Sequence, residues 1–292
     1  MKILLPVILS LTFLAAALII KVSHFGKAQP IPEKTQTLGV QSIDSVKAKE
    51  SPSPSPNPSQ QTRPATSANY SGFCLNVPIL MYHHIQPETL AKQKGQTSLT
   101  VDAGTFENQM KYLAGRGYQT ISADQLAQAL INHQKLGRSI VLTFDDGYAD
   151  FYTYAYPIIT KYHLIANLMI ATGLLQNPDY LTWQQLKDLN SSGIVFAYDH
   201  TWSHRNLGSA STDIISREVL TAKSQLQANL GKPVDIFAYP YGSENQTVIN
   251  FLKTNGFIAA LSTFSGQVQC DSFLMTLHRT RIGNSALSAY GI

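Results

Sequence analysis

The chain has 292 residues, 14% charged and 44% apolar, with a formal net charge of +4. That is enough length for one large domain with appendages and enough apolar content for a sizeable core. The small charge gathers in no basic stripe with interleaved aromatics, which argues against nucleic acid as a partner, and two cysteines without Cys-x-x-Cys spacing argue against a disulfide scaffold or a zinc-thiolate site.

Residues Ile3 to Ile20 are uncharged and mostly apolar, flanked by Lys2 and Lys21. As a helix they would span about 27 Å, close to the hydrocarbon thickness of a bilayer. This length favours an uncleaved signal anchor over residues 1–26 rather than a removed signal peptide, because Lys27-Ala28-Gln29 is a weak cleavage signal. Either reading puts the rest of the chain outside the cytoplasm, anchored to the membrane in the first case and secreted in the second. Residues 27–71 read as a disordered linker. The run Ser51-Pro52-Ser53-Pro54-Ser55-Pro56-Asn57-Pro58 cannot build a core and favours extended, solvated backbone.

The folded domain is expected over residues 72–292. Val77–Tyr82 reads as a strand followed by His83 and His84. Ala103–Gly115 has helical spacing, Tyr118–Ile121 reads as a short strand, and Ala123–His133 as a helix capped by Ser122. Ser139 begins an apolar, β-branched run that ends in Asp145-Asp146-Gly147, the pattern of a buried strand with two carboxylates at its end. Alternation continues with helix Tyr154–Tyr162, strand Ala166–Thr172, helix Trp183–Asn190 and strand Ile194–Tyr198. A long helix Asp213–Leu230 follows, capped by Thr212 and stopped by Gly231. Strand Val234–Ala238, helix Asn245–Asn255 and strand Phe257–Leu261 complete the pattern. About seven strand–helix repeats predict an α/β fold, a distorted (β/α) barrel with parallel strands.

Three segments carry candidate chemistry, each at a predicted strand end, where α/β folds collect their reactive groups. Asp145 and Asp146 repel each other, and a divalent cation is the most direct way to neutralise one of them. His200-Thr201-Trp202-Ser203-His204 sets two imidazoles four residues apart, able to reach one point, so that with one aspartate they form a 2-His-1-carboxylate set. Phe237-Ala238-Tyr239-Pro240-Tyr241-Gly242 can be a plain turn, or a rigid loop that aims a backbone N–H at a developing oxyanion.

With these segments in place the chain resembles the polysaccharide deacetylase family, carbohydrate esterase family 4. Thr143-Phe144-Asp145-Asp146-Gly147 and His200-Thr201-Trp202-Ser203-His204 match its first two motifs, and Pro78-Ile79-Leu80-Met81-Tyr82-His83-His84 resembles the start of many members. The resemblance implies a distorted barrel that hydrolyses N-acetyl groups from a polysaccharide containing N-acetylglucosamine. Peptidoglycan, poly-N-acetylglucosamine and chitin-like chains are the candidate substrates, and acetate is released. It implies Asp145 as general base, Asp146, His200 and His204 as holders of one divalent metal ion, zinc ahead of cobalt, nickel or manganese, and the Tyr241 N–H at the oxyanion, with Pro240 shaping that loop.

The chain also departs from the family pattern. Phe237 stands where many members carry a base-supporting arginine, so Arg279 or Arg281 is the candidate replacement. Asp271 is a poor stand-in for the fourth motif. His278, in a broken version of the fifth, is the leading candidate for general acid. His83 or His84 is a further candidate to face the site, against a purely hydrogen-bonded role. Trp202 is a candidate to stack on sugar or to pack beneath the metal loop. Asp199 either orients a histidine or ends its strand. For Cys74 and Cys270, a bridge and two separate buried thiols are both open. The rival functional readings are a non-catalytic glycan-binding or assembly module on the same fold, favoured by the broken motifs, and an O-acetyl esterase.

Overall fold

The computed structural model describes residues 70–292. The expected anchor over 1–26 and the linker over 27–71, except its last two residues, lie outside the described residues. Among the described residues no helix is long and apolar enough to cross a membrane.

The strands are β1 (Cys74–Asn76), β2 (Ile79–Tyr82), β3 (His84–Gln86), β4 (Thr100–Asp102), β5 (Gln119–Thr120), β6 (Ser139–Asp146), β7 (Ala166–Ile170), β8 (Val195–Asp199), β9 (Ile236–Ala238), β10 (Ala259–Leu261), β11 (Val268–Cys270) and β12 (Thr280–Arg281). The helices are α1 (Glu88–Lys94), α2 (Ala103–Gly115), α3 (Ala123–Ile131), α4 (Tyr156–Lys161), α5 (Trp183–Ser191), α6 (Thr212–Leu230) and α7 (Gln246–Thr254). The main sheet has the order β10-β9-β8-β7-β6-β2-β12, with β5 beside the start of β6. Every pair in it is parallel. It is therefore a curled parallel sheet on a seven-strand path, as the strand–helix alternation predicts. Its two edges approach the same segment, since Leu277 bridges Leu261 at one edge while Thr280 and Arg281 pair with Leu80 and Met81 at the other.

Period-two alternation sorts the side chains of this sheet. Leu80, Leu142, Phe144, Leu168, Val195 and Phe237 share one core cluster with residues of α2, α4, α5, α6 and α7. Ile79, Val141, Met169, Ala238, Ala259, Leu261 and Leu277 share the other, on the inner face, with Leu126 and Leu130 of α3. Burial on both faces explains why β6 is an unbroken apolar run before its carboxylates. The Ala123 N–H donates to Asn167 Oδ1 at the start of β7, which puts α3 at the N-terminal end of the strands, opposite the carboxylates.

Local chemistry explains most element ends. Ser122 and Thr182 each form a capping box with a glutamine three residues on, and Asp102 caps α2. Gly231 closes α6 in the left-handed conformation. Two expectations are corrected. Ser211, not Thr212, holds the cap position of α6 and makes no side-chain bond there. The segment before α4 starts as a π-turn over Phe151–Ala155. Outside the main sheet, β3 pairs with β4. Strand β1 pairs antiparallel with β11, and Cys74 and Cys270 at one end of that pair form a disulfide.

Candidate active site

The site forms along the C-terminal rim of the sheet, and strand register explains how. Asp145 lies beside Met169, Asp146 beside Ile170, and Ile170 beside Asp199. Asp145 has the parity of Val141 and faces inward. Alternation would send Asp146 outward, but its φ is +75°. A left-handed residue breaks the alternation, and Gly147 continues the turn at φ +86°. Asp146 can thus face the same place as its neighbour. Among the described residues, eight that are not glycine have positive φ, and Asp146, Thr201, His204 and Tyr241 account for four of them. Such conformations cost on the order of 1–3 kcal/mol each and persist where the surroundings impose them. Here they concentrate in the three segments that the sequence singles out.

Asp146 Oδ1 lies 3.3 Å from His200 Nε2 and 3.1 Å from His204 Nε2. One ligand atom from each of the three residues falls within 4.8 Å of the others. Oδ1 is buried and, among the described residues, makes no hydrogen bond. An unpaired buried carboxylate oxygen is costly unless a cation meets it. Nδ1 of His200 is 2.7 Å from the Ala238 carbonyl, which turns Nε2 toward Asp146. Burial raises the Asp146 pKa, but His200, His83 and His204 outweigh it and hold the carboxyl well below its usual range. Burial and His200 lower His204, keeping that imidazole neutral with its lone pair available. Burial also lowers His200, yet Asp146 and Asp145 reverse this to a net rise, so the spot draws positive charge. The donor set, its orphaned oxygen and its field all fit a divalent metal ion.

Asp145 is held differently. Arg279 Nη1 donates to Asp145 Oδ1 at 2.7 Å and to Thr143 Oγ1 at 3.3 Å, while its Nε donates to the Ser262 carbonyl at 2.8 Å. Both partners are buried. Burial pushes Asp145 up, but Arg279, then His200 and His83, bring it below its ordinary value. Of the two arginines considered for the place that Phe237 leaves open, Arg279 is the one that reaches Asp145. Phe237 itself sits in the outer core. Arg281 is exposed and bonds the Ser98 carbonyl instead.

The histidines exchange their expected places. Leu277 and Arg279 face inward, so His278 between them faces out. Its ring stacks on Phe273 at 4.7 Å, and burial alone lowers its pKa, with no contribution from Asp145 or Asp146. Its main chain is tied to Gln269 of β11, whose Oε1 accepts the His278 N–H at 2.9 Å and whose Nε2 donates to the His278 carbonyl at 3.0 Å. His83 is the reverse case. Register Tyr82–Phe144, carried one residue on, sets His83 beside Asp145 with inward parity. Burial lowers its pKa while Asp145 and Asp146 raise it, so both charges reach it. His84 turns outward, bonding Asp150 at 2.5 Å and stacking on Tyr148 at 3.6 Å. Asp271 belongs to the far end, where it accepts from the Phe73 N–H and pairs with His133 beyond α3.

The remaining candidates form the rim. Pro240 is buried and Tyr241 stands 69% exposed, its ring 4.6 Å from that of His204. Among the described residues the Tyr241 N–H meets no acceptor. The Trp202 ring lies over Gly173, where a Cβ would come within 2.7 Å of its Nε1, and it is part-exposed. Sequence reasoning missed Tyr148, whose phenol pKa is pushed up by burial and by the Asp146 charge, and Glu218 of α6, which accepts the N–H of Ser203 beside His204 at 2.8 Å. The Asp-Asp-Gly-Tyr string hints at the first by proximity alone. Nothing in the sequence marks the second.

The comparisons with known proteins agree on one family. The family profile described as Polysaccharide deacetylase matches residues 132–260. A protein named as a polysaccharide deacetylase, YxkH of Bacillus subtilis (strain 168), is 30% identical over 219 residues, covering 73% of this chain and 75% of that one. The poly-beta-1,6-N-acetyl-D-glucosamine N-deacetylase of Escherichia coli (strain K12) is 24% identical over 249 residues, covering 70% of this chain but only 36% of that protein. Among solved structures, the Streptococcus pyogenes deacetylase PplD in complex with acetate superposes with a TM-score of 0.67 at 30% identity, over 73% of this chain and 97% of that one.

Proposed function

The chain belongs to the polysaccharide deacetylase family and is a hydrolase of amide bonds, and from that premise we propose that it is a metal-dependent N-deacetylase of a β-linked N-acetylglucosamine polysaccharide. The observation that carries this reading is the meeting of Asp146 Oδ1, His200 Nε2 and His204 Nε2 beside an arginine-paired Asp145. Asp146, His200 and His204 would hold a divalent ion, which would supply Lewis acidity toward the acetyl carbonyl and lower the pKa of water at the site.

The chain's own residues do the rest. Asp145, kept ionised by Arg279, accepts the proton of the attacking water. The Tyr241 N–H, directed by a left-handed backbone, donates to the developing oxyanion. His83, one strand over from Asp145, protonates the leaving amine, and so replaces His278 in that role. The Tyr241 ring, 4.6 Å from that of His204, and the exposed Trp202 suit the apolar face of a pyranose. Replacing His83 by glutamine is expected to lower kcat by about 10²–10⁴-fold with zinc affinity retained. His278→Gln is expected to leave kcat within about threefold. Steady-state kinetics on the two variants checks both.

The E. coli relative's name makes poly-β-1,6-N-acetylglucosamine the first substrate to offer, ahead of peptidoglycan and chitin oligomers. The test is acetate release from each polymer, and from acetylated xylan, with chelator and after adding back zinc, cobalt, nickel or manganese. Release from an amino-sugar polymer, lost with chelator and restored by one ion, supports the proposal. Release from xylan alone would mean an O-acetyl esterase. No release with any ion would leave a glycan-binding module, although the intact Asp145–Arg279 pair speaks against one. Extracytoplasmic placement remains part of the proposal and is supported by the apolar run near the N-terminus and by the Cys74–Cys270 bridge, a bond of oxidising compartments.

A further inference from the structure

The two histidines of the metal-binding set are not equally secured. His200 is 2% exposed and its Nδ1 is fixed by the Ala238 carbonyl at 2.7 Å. The His204 side chain is 20% exposed, and among the described residues its Nδ1 has no hydrogen-bond partner. Its direction therefore depends on the main chain that carries it. That main chain is left-handed at His204 itself (φ +57°) and at Thr201 (φ +67°), a β-branched residue for which this conformation is an outlier.

Several bonds hold this loop. Asp199 Oδ1 accepts from the Thr201 N–H at 2.8 Å, and the Thr172 and Gly173 N–H groups donate to the Thr201 and Trp202 carbonyls. The residue next to His204 is held from elsewhere. Glu218 accepts the Ser203 N–H at 2.8 Å on Oε2 and the Ser203 hydroxyl at 2.9 Å on Oε1. Glu218 is 1% exposed and lies in the buried stripe of α6, among Ile215, Val219, Ala222 and Leu226. An apolar residue would satisfy that stripe, and a buried carboxylate there is costly unless it is hydrogen-bonded. The Ser203 bonds meet that need, and they do so one residue from a metal ligand.

We propose that Glu218 is the positioning residue for His204, fixing through Ser203 the direction in which Nε2 points at the metal-binding point. This rests on the metal-dependent reading above. Supporting groups outside the ligand set typically change metal affinity by about 10–100-fold when removed.

The test uses the full chain with zinc or cobalt alone, without any glycan. Zinc affinity is read by competition with a chromophoric chelator, and the ligand field by the visible absorption of the cobalt-loaded protein. Glu218→Ala is expected to weaken zinc by about 10–100-fold and to shift the cobalt bands. Glu218→Gln, which keeps an acceptor for the Ser203 N–H, is expected to restore most of both. Should Glu218→Ala fail to fold, Ser203→Ala, which leaves α6 untouched, is expected to shift both readouts in the same direction by less. Wild-type affinity and cobalt spectrum in Glu218→Ala, with only a lower melting temperature, would overturn the proposal. So would a Glu218→Gln variant as weak as Glu218→Ala. If wild-type protein binds neither ion, the metal-dependent reading fails first, which is a distinct result.

Discussion

Replacing Arg279 by methionine is expected to produce an enzyme that is both less stable and slower, with a shifted pH profile. Arg279 and Asp145 are buried together, 2.7 Å apart. Removing one member of a buried ion pair strands the other, at a typical cost of about 3–5 kcal/mol. The sign of the pH dependence follows from the direction of the Asp145 shift. In the wild type the folded-state pKa lies below the ordinary value, because Arg279, His200 and His83 together outweigh burial. That contribution is fully present above the unfolded pKa of about 3.9 and is lost as the pH falls through the lower folded value. Without the guanidinium, burial dominates and the folded pKa rises. The stability deficit of Arg279→Met should then be largest at neutral pH and shrink on acidification. In turnover, the acid limb of kcat/KM should move to higher pH, since Asp145 must be ionised to act as base. Thermal unfolding at several pH values and a pH–rate profile check both. Asp145→Asn in the Arg279→Met background should recover part of the stability and none of the activity. An unmoved acid limb would separate Arg279 from the base altogether.

Asp146→Asn is expected to abolish metal loading and to lower kcat/KM by at least about 10²–10³-fold. The Asp146 carboxylate is the anionic ligand, and its buried Oδ1 makes no hydrogen bond among the described residues. With metal removed, His200, His83 and His204 still favour that charge, as its lowered pKa shows, and a neutral amide of the same shape forfeits their attraction. The two proteins should differ in their response to zinc. Wild type should gain melting temperature as zinc is added, by linkage worth about 2.7 kcal/mol at a hundred times the dissociation constant. Asp146→Asn should start lower in chelator and gain almost nothing on adding zinc. Metal content per chain and melting curves with and without chelator decide this. Equal zinc responses would place the ion elsewhere.

What could be read from the sequence follows from how local each signal is. Asp145, Asp146, His200 and His204 sit in short motifs at the ends of strongly apolar strands, so their type and place show without a fold. The sheet's direction shows in the strand–helix alternation. His83 and Arg279 could be named only beside His84 and Arg281 as alternatives, because they reach the site through strand pairing, and register is not written in any one segment. Arg279 and its neighbour His278 show how much register decides. One residue along a strand reverses the face, so that Arg279 points in and its neighbour His278 points out. The strands β1, β3, β4 and β11, of three residues each, carry too little periodicity to detect. Glu218 is invisible for a different reason, as an acid on an amphipathic helix reads as solvated surface until the loop that it holds is seen. In each case the missing information is tertiary.

The pairing of β1 with β11, sealed by sulfur, also has a mechanical side. A tug arriving along the backbone from residue 69 meets Cys74 before it meets β2, and the covalent crosslink passes the load to Cys270. The force then bypasses the strands that carry His83 and Asp145. A chain strained from its leading end would keep its reaction centre in register, whereas the same chain with both sulfurs reduced would first peel β1 from β11 and then load β2, next to the base.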